Sequence, residues 1–538
     1  MNNSTSTQSN NNNNNNNILN MSNINPNNDA ILSIHTQNFV SYTSLVQGLV
    51  SPVALCDPGS GSSLFLIDQV GVIYIWDRFQ QPTTTTTATG TATDTTTIPN
   101  TSILSFSSSL SSSNSSTSSS LFSNNNSTTN INTNSGLSSS SSSSSFRILL
   151  DRRSYYANNL NPSYDERGLL NLVAHPLYGQ NKLLYLFYTT INSTTLGMDH
   201  DVMVEELQYV KSIDPITSKI VESLVFKKRL LQIPHPQSNH NGGGMCFITV
   251  GPASLSSKSM QNFLLVGLGD GGGSGDSGVG HTLNIGNAQD DTSRLGKVWM
   301  IGVDETIPTF RMVIKGCRNP WKITYETLDN SIWIGNAGQD KWESIFRIPL
   351  SNLFIFIGNN NNNNNNNNIT NSPSIVTVNP TSSQIITTTT TNTNQNNIMN
   401  NIISNPLNLG WKAYEGFPHV YDSQLATSLQ YAVVFPFLNY SHDQMGNNSI
   451  ASIGGTMIKP LFYCLGDFSG NPQYDPVFYT NIITTQPPIL NLQPRTANLP
   501  MHLLSFGKDR LNQIYALMRN NSGPSQNTGQ VFQLSFQL

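Results

Sequence analysis

Short runs of apolar, β-branched and aromatic residues recur along this chain, each bounded by Gly, Asn or Asp. Leu64 to Ile67, Val72 to Trp76, Leu183 to Tyr188, Phe263 to Val266, Val298 to Ile301, Ile332 to Ile334, Ile514 to Leu517 and Val531 to Leu534 are examples. Runs of this length and composition, closed by turn residues, predict β-strands. Sustained helical period is rare; Glu166 to Val173 is the best helical candidate. A unit of apolar strand, polar Gly-containing turn and aromatic strand repeats at Leu64 to Trp76, Ile323 to Ile334 and Leu503 to Leu517. The class is all-β, and repeated hairpins without intervening helices suggest a β-propeller, with a pair of sandwiches left open by periodicity alone.

Composition divides the chain into foldable and unfoldable parts. Asn runs (10 to 17, 359 to 368) and Ser/Thr runs (83 to 97, 107 to 145) carry few apolar side chains. Such segments cannot bury enough surface to offset the entropy of ordering. The expected organisation is a disordered Asn-rich N-terminus (1–37) and one propeller domain (38–538), with disordered insertions at 80–145 and 358–403. Net charge is -4 with 10% charged residues, and no Lys/Arg cluster gives a nucleic-acid footprint. No stretch of ~18 apolar residues predicts a membrane span. The N-terminus lacks the basic start and apolar core of a signal peptide, so the expectation as written is a soluble, cytoplasmic chain. Cys56, Cys246, Cys317 and Cys464 lie far apart with no CxxC pair, which excludes the usual zinc spacing; four cysteines allow two bridges, but buried free thiols are the expectation.

Three polar, Gly-rich stretches carry candidate chemistry. In Asn239-His240-Asn241-Gly242-Gly243 an exposed turn is expected, where His240 is either a base of near-neutral pKa or a loop histidine without a role. Leu268-Gly269-Asp270-Gly271-Gly272 fits neither a P-loop nor a dinucleotide fingerprint nor an EF-hand; its glycines let backbone approach a ligand beside Asp270. In Arg318-Asn319-Pro320 the arginine offers a forked cation for a ligand or for an ion pair. Gly335 to Asp340 is an oxygen-rich turn, suited to a hard cation or simply a hairpin corner. Neither Gly-x-Ser-x-Gly nor His-Glu-x-x-His occurs, so serine-hydrolase and zinc-protease chemistry have no support.

Glu166-Arg167-Gly168-Leu169-Leu170-Asn171-Leu172-Val173-Ala174-His175-Pro176 resembles a block of the soluble quinoprotein (PQQ-dependent) glucose/sorbosone dehydrogenase family. So do the His240 and Asp270 stretches, Arg294 to Val298, Gly316 to Trp321, Trp333 to Glu343, Asn408 to Trp411, Tyr414 to Gly416 and Ser505 to Asp509, in the family's order. The resemblance implies a six-bladed β-propeller and oxidation of the anomeric carbon of a sugar (aldose), with hydride passing to PQQ. It implies His240 as catalytic base, Arg318 and Asn319 on the quinone oxygens, Asp270 in the cofactor pocket, and Ca²⁺ on the Gly338 and Gln339 carbonyls. Hedgehog-interacting-protein-like propellers share the domain, so the alternative is a non-catalytic propeller binding a protein or glycan partner. One departure stands out: where the family places late-blade cations for the cofactor carboxylates, this chain has Asp467-Phe468-Ser469 and His502. Lys459 and Arg495 are the candidate substitutes.

Overall fold

The computed structural model describes residues 40–78, 146–250, 261–305, 307–327, 329–353, 374–378, 385–389, 406–429, 433–442, 452–459, 462–467, 477–480 and 501–536. These residues form an all-β propeller, each sheet built around consecutive antiparallel strands, some with a further strand from elsewhere in the chain. The first blade consists of Pro52–Cys56, Ser63–Asp68, Val72–Asp77 and Phe146–Asp151. The second is Leu169–Ala174, Leu183–Thr189, His200–Ile213 and Ile220–His235. The third is Met245–Val250, Gln261–Leu268, Lys297–Gly302 and Thr309–Lys315, with Leu407–Asn408 added in parallel. The fourth is Pro320–Glu326, Ser331–Asn336, Trp342–Pro349 and Leu438–Ser441.

His502–Lys508, Ile514–Arg519 and Gly529–Phe536 form the closing blade, and the N-terminal strand Val40–Leu49 pairs with its last strand. A three-stranded sheet, Ser452–Lys459, Phe462–Asp467 and Val477–Thr480, lies between the fourth and closing blades. The described residues therefore hold five blades of four or five strands. The six expected from the resemblance are not reached: among the described residues the sheet between the fourth and closing blades has three strands, and one further sheet has two.

Stacking blades face to face buries both sides of each strand, which is why the runs are apolar throughout rather than alternating. Ile248, Leu265, Val298 and Val313 of the third blade pack against Ile323, Ile334 and Phe346 of the fourth. The same logic overturns the helical expectation for Glu166 to Val173. Leu169–Ala174 is the innermost strand of the second blade. Leu169 and Leu172 join the core shared with the first blade, while Leu170 joins the one shared with the third. A run buried on both sides looks non-alternating and so mimics a helical face.

Near the ring's centre, Lys322 donates to the carbonyls of Val53 (2.8 Å) and Leu170 (3.3 Å), and Trp321 Nε1 donates to that of Leu504 (2.9 Å). Two adjacent residues of the fourth blade thus tie down inner strands of three others. Burial pushes the Lys322 amine down to about 7.

Residues 1–37 and 80–145, expected to be disordered, lie outside the described residues, as do most of 358–403. Within the latter, Ser374–Val378 pairs antiparallel with Ile385–Thr389, a local correction that the Ile, Val and Thr content of both segments explains. Cys56, Cys246 and Cys317 are free thiols; the Cys464 side chain is outside the described set. Among the described residues, no helix is long and apolar enough to cross a membrane.

Candidate active site

His240, Asp270 and Arg318 meet at one end of the ring, where loops lead into the inner strands of the second, third and fourth blades. Gly269 makes this possible: a Cβ there would fall inside the His240 carbonyl, so only glycine lets the two loops touch. The Asp270 N–H donates to the Arg318 carbonyl at 2.8 Å, and the Gly242 N–H to Asn319 Oδ1 at 2.9 Å. Backbone and amide bonds thus fasten together three loops that are far apart in sequence.

His240 is not exposed, as its Asn/Gly surroundings had predicted, but only 3% accessible. One near and one remote partner cover it. Glu166 Oε2 accepts its backbone N–H at 2.6 Å, and the His235 ring approaches its carbonyl at 3.2 Å. His240 also has φ +58, a left-handed conformation uncommon for a non-glycine residue. These contacts hold that strain in place.

The His240 Nδ1 lies 2.8 Å from Asp270 Oδ1. Asp270 is fully buried; Oδ1 also accepts the Gly272 N–H at 3.0 Å, and Oδ2 accepts the Trp411 indole N–H at 2.8 Å. Burial alone would raise its pKa, but the His240 ring, then Arg318 and the Gly272 N–H, outweigh burial and hold it below the usual carboxylate range. An ionised Asp270 fixes the proton on His240 Nδ1 and leaves the Nε2 lone pair as the ring's acceptor. Behind His240, His235 stacks on His200 with centroids 4.7 Å apart, and burial followed by the His200 charge pushes it down to about 3. His235 is therefore neutral, with one N–H to share between the Gln237 carbonyl at 2.7 Å and the His240 carbonyl at 3.2 Å.

Arg318 is buried, with Nε and Nη2 donating to Gln339 Oε1 (3.1 and 3.0 Å) and Nη1 to the Ala337 carbonyl (3.2 Å). Its guanidinium lies 5.7 Å from the Trp411 ring centroid. Asn319 Nδ2 reaches Glu166 Oε2 at 3.4 Å. Gly338 and Gln339 adjoin this group in the turn after the fourth blade's second strand. There the N–H groups of Gln339, Asp340, Lys341 and Trp342 converge on Glu415 Oε1 at 2.9, 2.6, 2.7 and 3.0 Å. Four successive amides cradling one carboxylate oxygen make an anion nest. Gln339 Oε1 and Glu415 Oε1 are thus occupied, so of these groups only the backbone carbonyls and Glu415 Oε2 would be left to hold a cation. Among the described residues, no three His, Cys, Asp or Glu side chains group as a metal site.

Residue-by-residue reading had given no role to Glu166, Trp411 or Arg519. Glu166 bonds His240, Asn319 and the hydroxyl of the half-exposed rim residue Tyr164. Arg519, from the closing blade, is buried, and its Nε has no hydrogen-bond partner. An orphaned guanidinium N–H on this face suits an anionic group such as PQQ, as do Arg318 and Asn319. Nothing local in the sequence marks Arg519, because the side chains it bonds, Ser51 and Gln69, come from the first blade. The side chain of Lys459 and all of Arg495 lie outside the described residues.

No protein-family model matches the chain. Solved structures similar to it include the PQQ-bound aldose sugar dehydrogenase of Streptomyces coelicolor (14% identity, 93% of this chain and 98% of that chain, TM-score 0.48). A putative oxidoreductase (glucose dehydrogenase) of Thermus thermophilus shares 14% identity over 92% of this chain and 100% of its own, with a TM-score of 0.49. The apo aldose sugar dehydrogenase of Escherichia coli shares 12% over 93% and 100%, with a TM-score of 0.43. At these identities and scores the likeness assigns neither a reaction nor a ligand to this chain.

Proposed function

We propose that this propeller is a PQQ-dependent sugar (aldose) dehydrogenase-like oxidoreductase whose active site is the His240–Asp270–Arg318 mouth. The observation that carries the reading is the buried His240–Asp270 pair at 2.8 Å beside a buried guanidinium. PQQ, when bound, supplies the hydride acceptor. His240 Nε2 takes the proton of the anomeric hydroxyl, and Asp270 stabilises the imidazolium that results. Asp270 acts by orienting His240 rather than by touching the cofactor. Arg318 and Asn319 present fixed donors to negative charge building on the ligand's oxygens. The carbonyls of Gly338 and Gln339 are the proposed Ca²⁺ ligands. The three-stranded sheet between the fourth and closing blades is read as the sixth blade.

The test is dye-linked oxidation across an aldose panel after reconstitution with PQQ and Ca²⁺, with His240→Ala lowering kcat by ~10²-fold or more. No turnover together with no PQQ binding by calorimetry overturns the reading. One observation favours the alternative, a non-catalytic propeller binding a protein or glycan partner: all three Arg318 nitrogens are already bonded within the protein. A partner retained equally by wild type and His240→Ala, without turnover, decides for it.

A further inference from the structure

Arg519 is a buried cation in search of an anion. Its Nη1 donates to Ser51 Oγ (2.7 Å) and Gln69 Oε1 (3.3 Å), and its Nη2 to the Ser522 carbonyl (2.6 Å), all neutral acceptors. Its Nε is buried without a partner. The nearby carboxylate, Asp68, has both oxygens turned to the Val50 and Ser51 N–H groups, and burial pushes its pKa up. Burial lowers the guanidinium only to about 10, so it stays charged at neutral pH. A buried charge served only by neutral groups is costly unless something compensates it.

Gln69, which accepts from Arg519, donates through Nε2 to the carbonyls of Asp165 (2.7 Å) and Arg167 (2.8 Å), on either side of Glu166. Glu166 in turn bonds the His240 backbone. Arg519 is therefore linked to the mouth through Gln69 and the Asp165–Arg167 segment that carries Glu166. The half-exposed Tyr164 lies in the field of both Arg318 and Arg519. Across the strand pair, Arg519 is in direct register with His502, the position where the resemblance leads one to expect a late-blade cation.

We propose that Arg519 holds a carboxylate of the bound cofactor, entering beside Tyr164, and so replaces the cation missing at His502. This deepens the dehydrogenase reading and rests on it for the identity of the ligand. The chemical class is a planar aromatic polycarboxylate.

The experiment compares PQQ with its trimethyl ester by calorimetry on the full chain, in wild type, Arg519→Gln and Arg519→Lys. The expected result is ~10-fold or greater loss of PQQ affinity in Arg519→Gln, partial rescue in Arg519→Lys, and an ester affinity that Arg519→Gln leaves unchanged. Because the ester reports on the same folded site, a structural effect lowers both affinities equally, and that outcome overturns the proposal. Equal PQQ binding by wild type and Arg519→Gln also overturns it, while leaving the dehydrogenase reading standing. If wild type binds neither quinone, that reading fails. Thermal stabilisation by pyridine-2,4-dicarboxylate then decides on Arg519: Arg519-dependent stabilisation sustains an anion site, and its absence sinks it.

Discussion

A histidine whose Nδ1 faces a buried carboxylate has one nitrogen left to take up a proton, and Asp270 puts His240 in that state. Asp270→Asn keeps the shape but presents an amide that can turn its N–H toward the ring and favour the wrong tautomer. We expect kcat to fall by ~10²-fold or more with KM for the sugar little changed. Equal kcat in steady-state kinetics refutes the orienting role. His235 gives a second residue-scale expectation. Its pKa falls from 6.5 unfolded to about 3 folded, so between those values the unfolded chain binds a proton that the folded one does not. Stability is thus fully present above pH 6.5 and declines as pH falls toward 3, at about 1.4 kcal/mol per pH unit. Urea unfolding from pH 7 to pH 4 measures the slope, and His235→Gln should reduce it by one proton's worth. An unchanged slope assigns the acid sensitivity elsewhere.

At the scale of elements, the turn from Gly338 to Trp342 is held from outside by Glu415, a residue more than seventy positions later. Glu415→Ala leaves four amides without their acceptor, with an expected loss on the order of 3 kcal/mol in urea unfolding. Glu415→Gln retains an acceptor oxygen and should cost less. Equal losses in the two variants argue against the nest. The same turn marks where sequence reading stops. Apolar runs such as Ile332 to Ile334 and Leu64 to Ile67 identified strands, because composition reports burial directly. The Arg318-Asn319 and His240 stretches stood out because each sets a proton-accepting or cationic side chain among glycine and asparagine at the mouth of a strand. The burial of His240 was not legible, since Glu166 and Asp270, which bond it, come from other loops. Nor was the nest, since its amides belong to unremarkable residues and its anion to another segment. Leu169–Ala174 was misread for the opposite reason: a run buried on both faces loses the period of two on which strand recognition relies.

The whole ring depends on a closure that joins the two ends of the chain. Val40–Leu49 pairs with Gly529–Phe536 from Val40 opposite Phe536 to Leu49 opposite Gly529. Leu45, Val46 and Leu49 enter a core with Leu64, Leu66 and Trp76 of the first blade and Tyr515, Leu517 and Val531 of the closing blade. Arg78 adds bonds from the first blade to Tyr515 and Gln533. A chain beginning at Ser51 loses three buried apolar side chains, about 1.5–3 kcal/mol each. It also exposes Gly529–Phe536 as an open edge, which invites association. Because Arg519 belongs to that blade and His240 to the second, the damage should reach the mouth as well. The expected outcome is a lower melting temperature by circular dichroism, concentration-dependent light scattering, and weaker PQQ binding. A synthetic peptide spanning Val40 to Leu49, added in trans, should restore part of each. A truncated chain that melts where the full chain does means the ring closes without this strand, and the coupling between closure and site then falls with it.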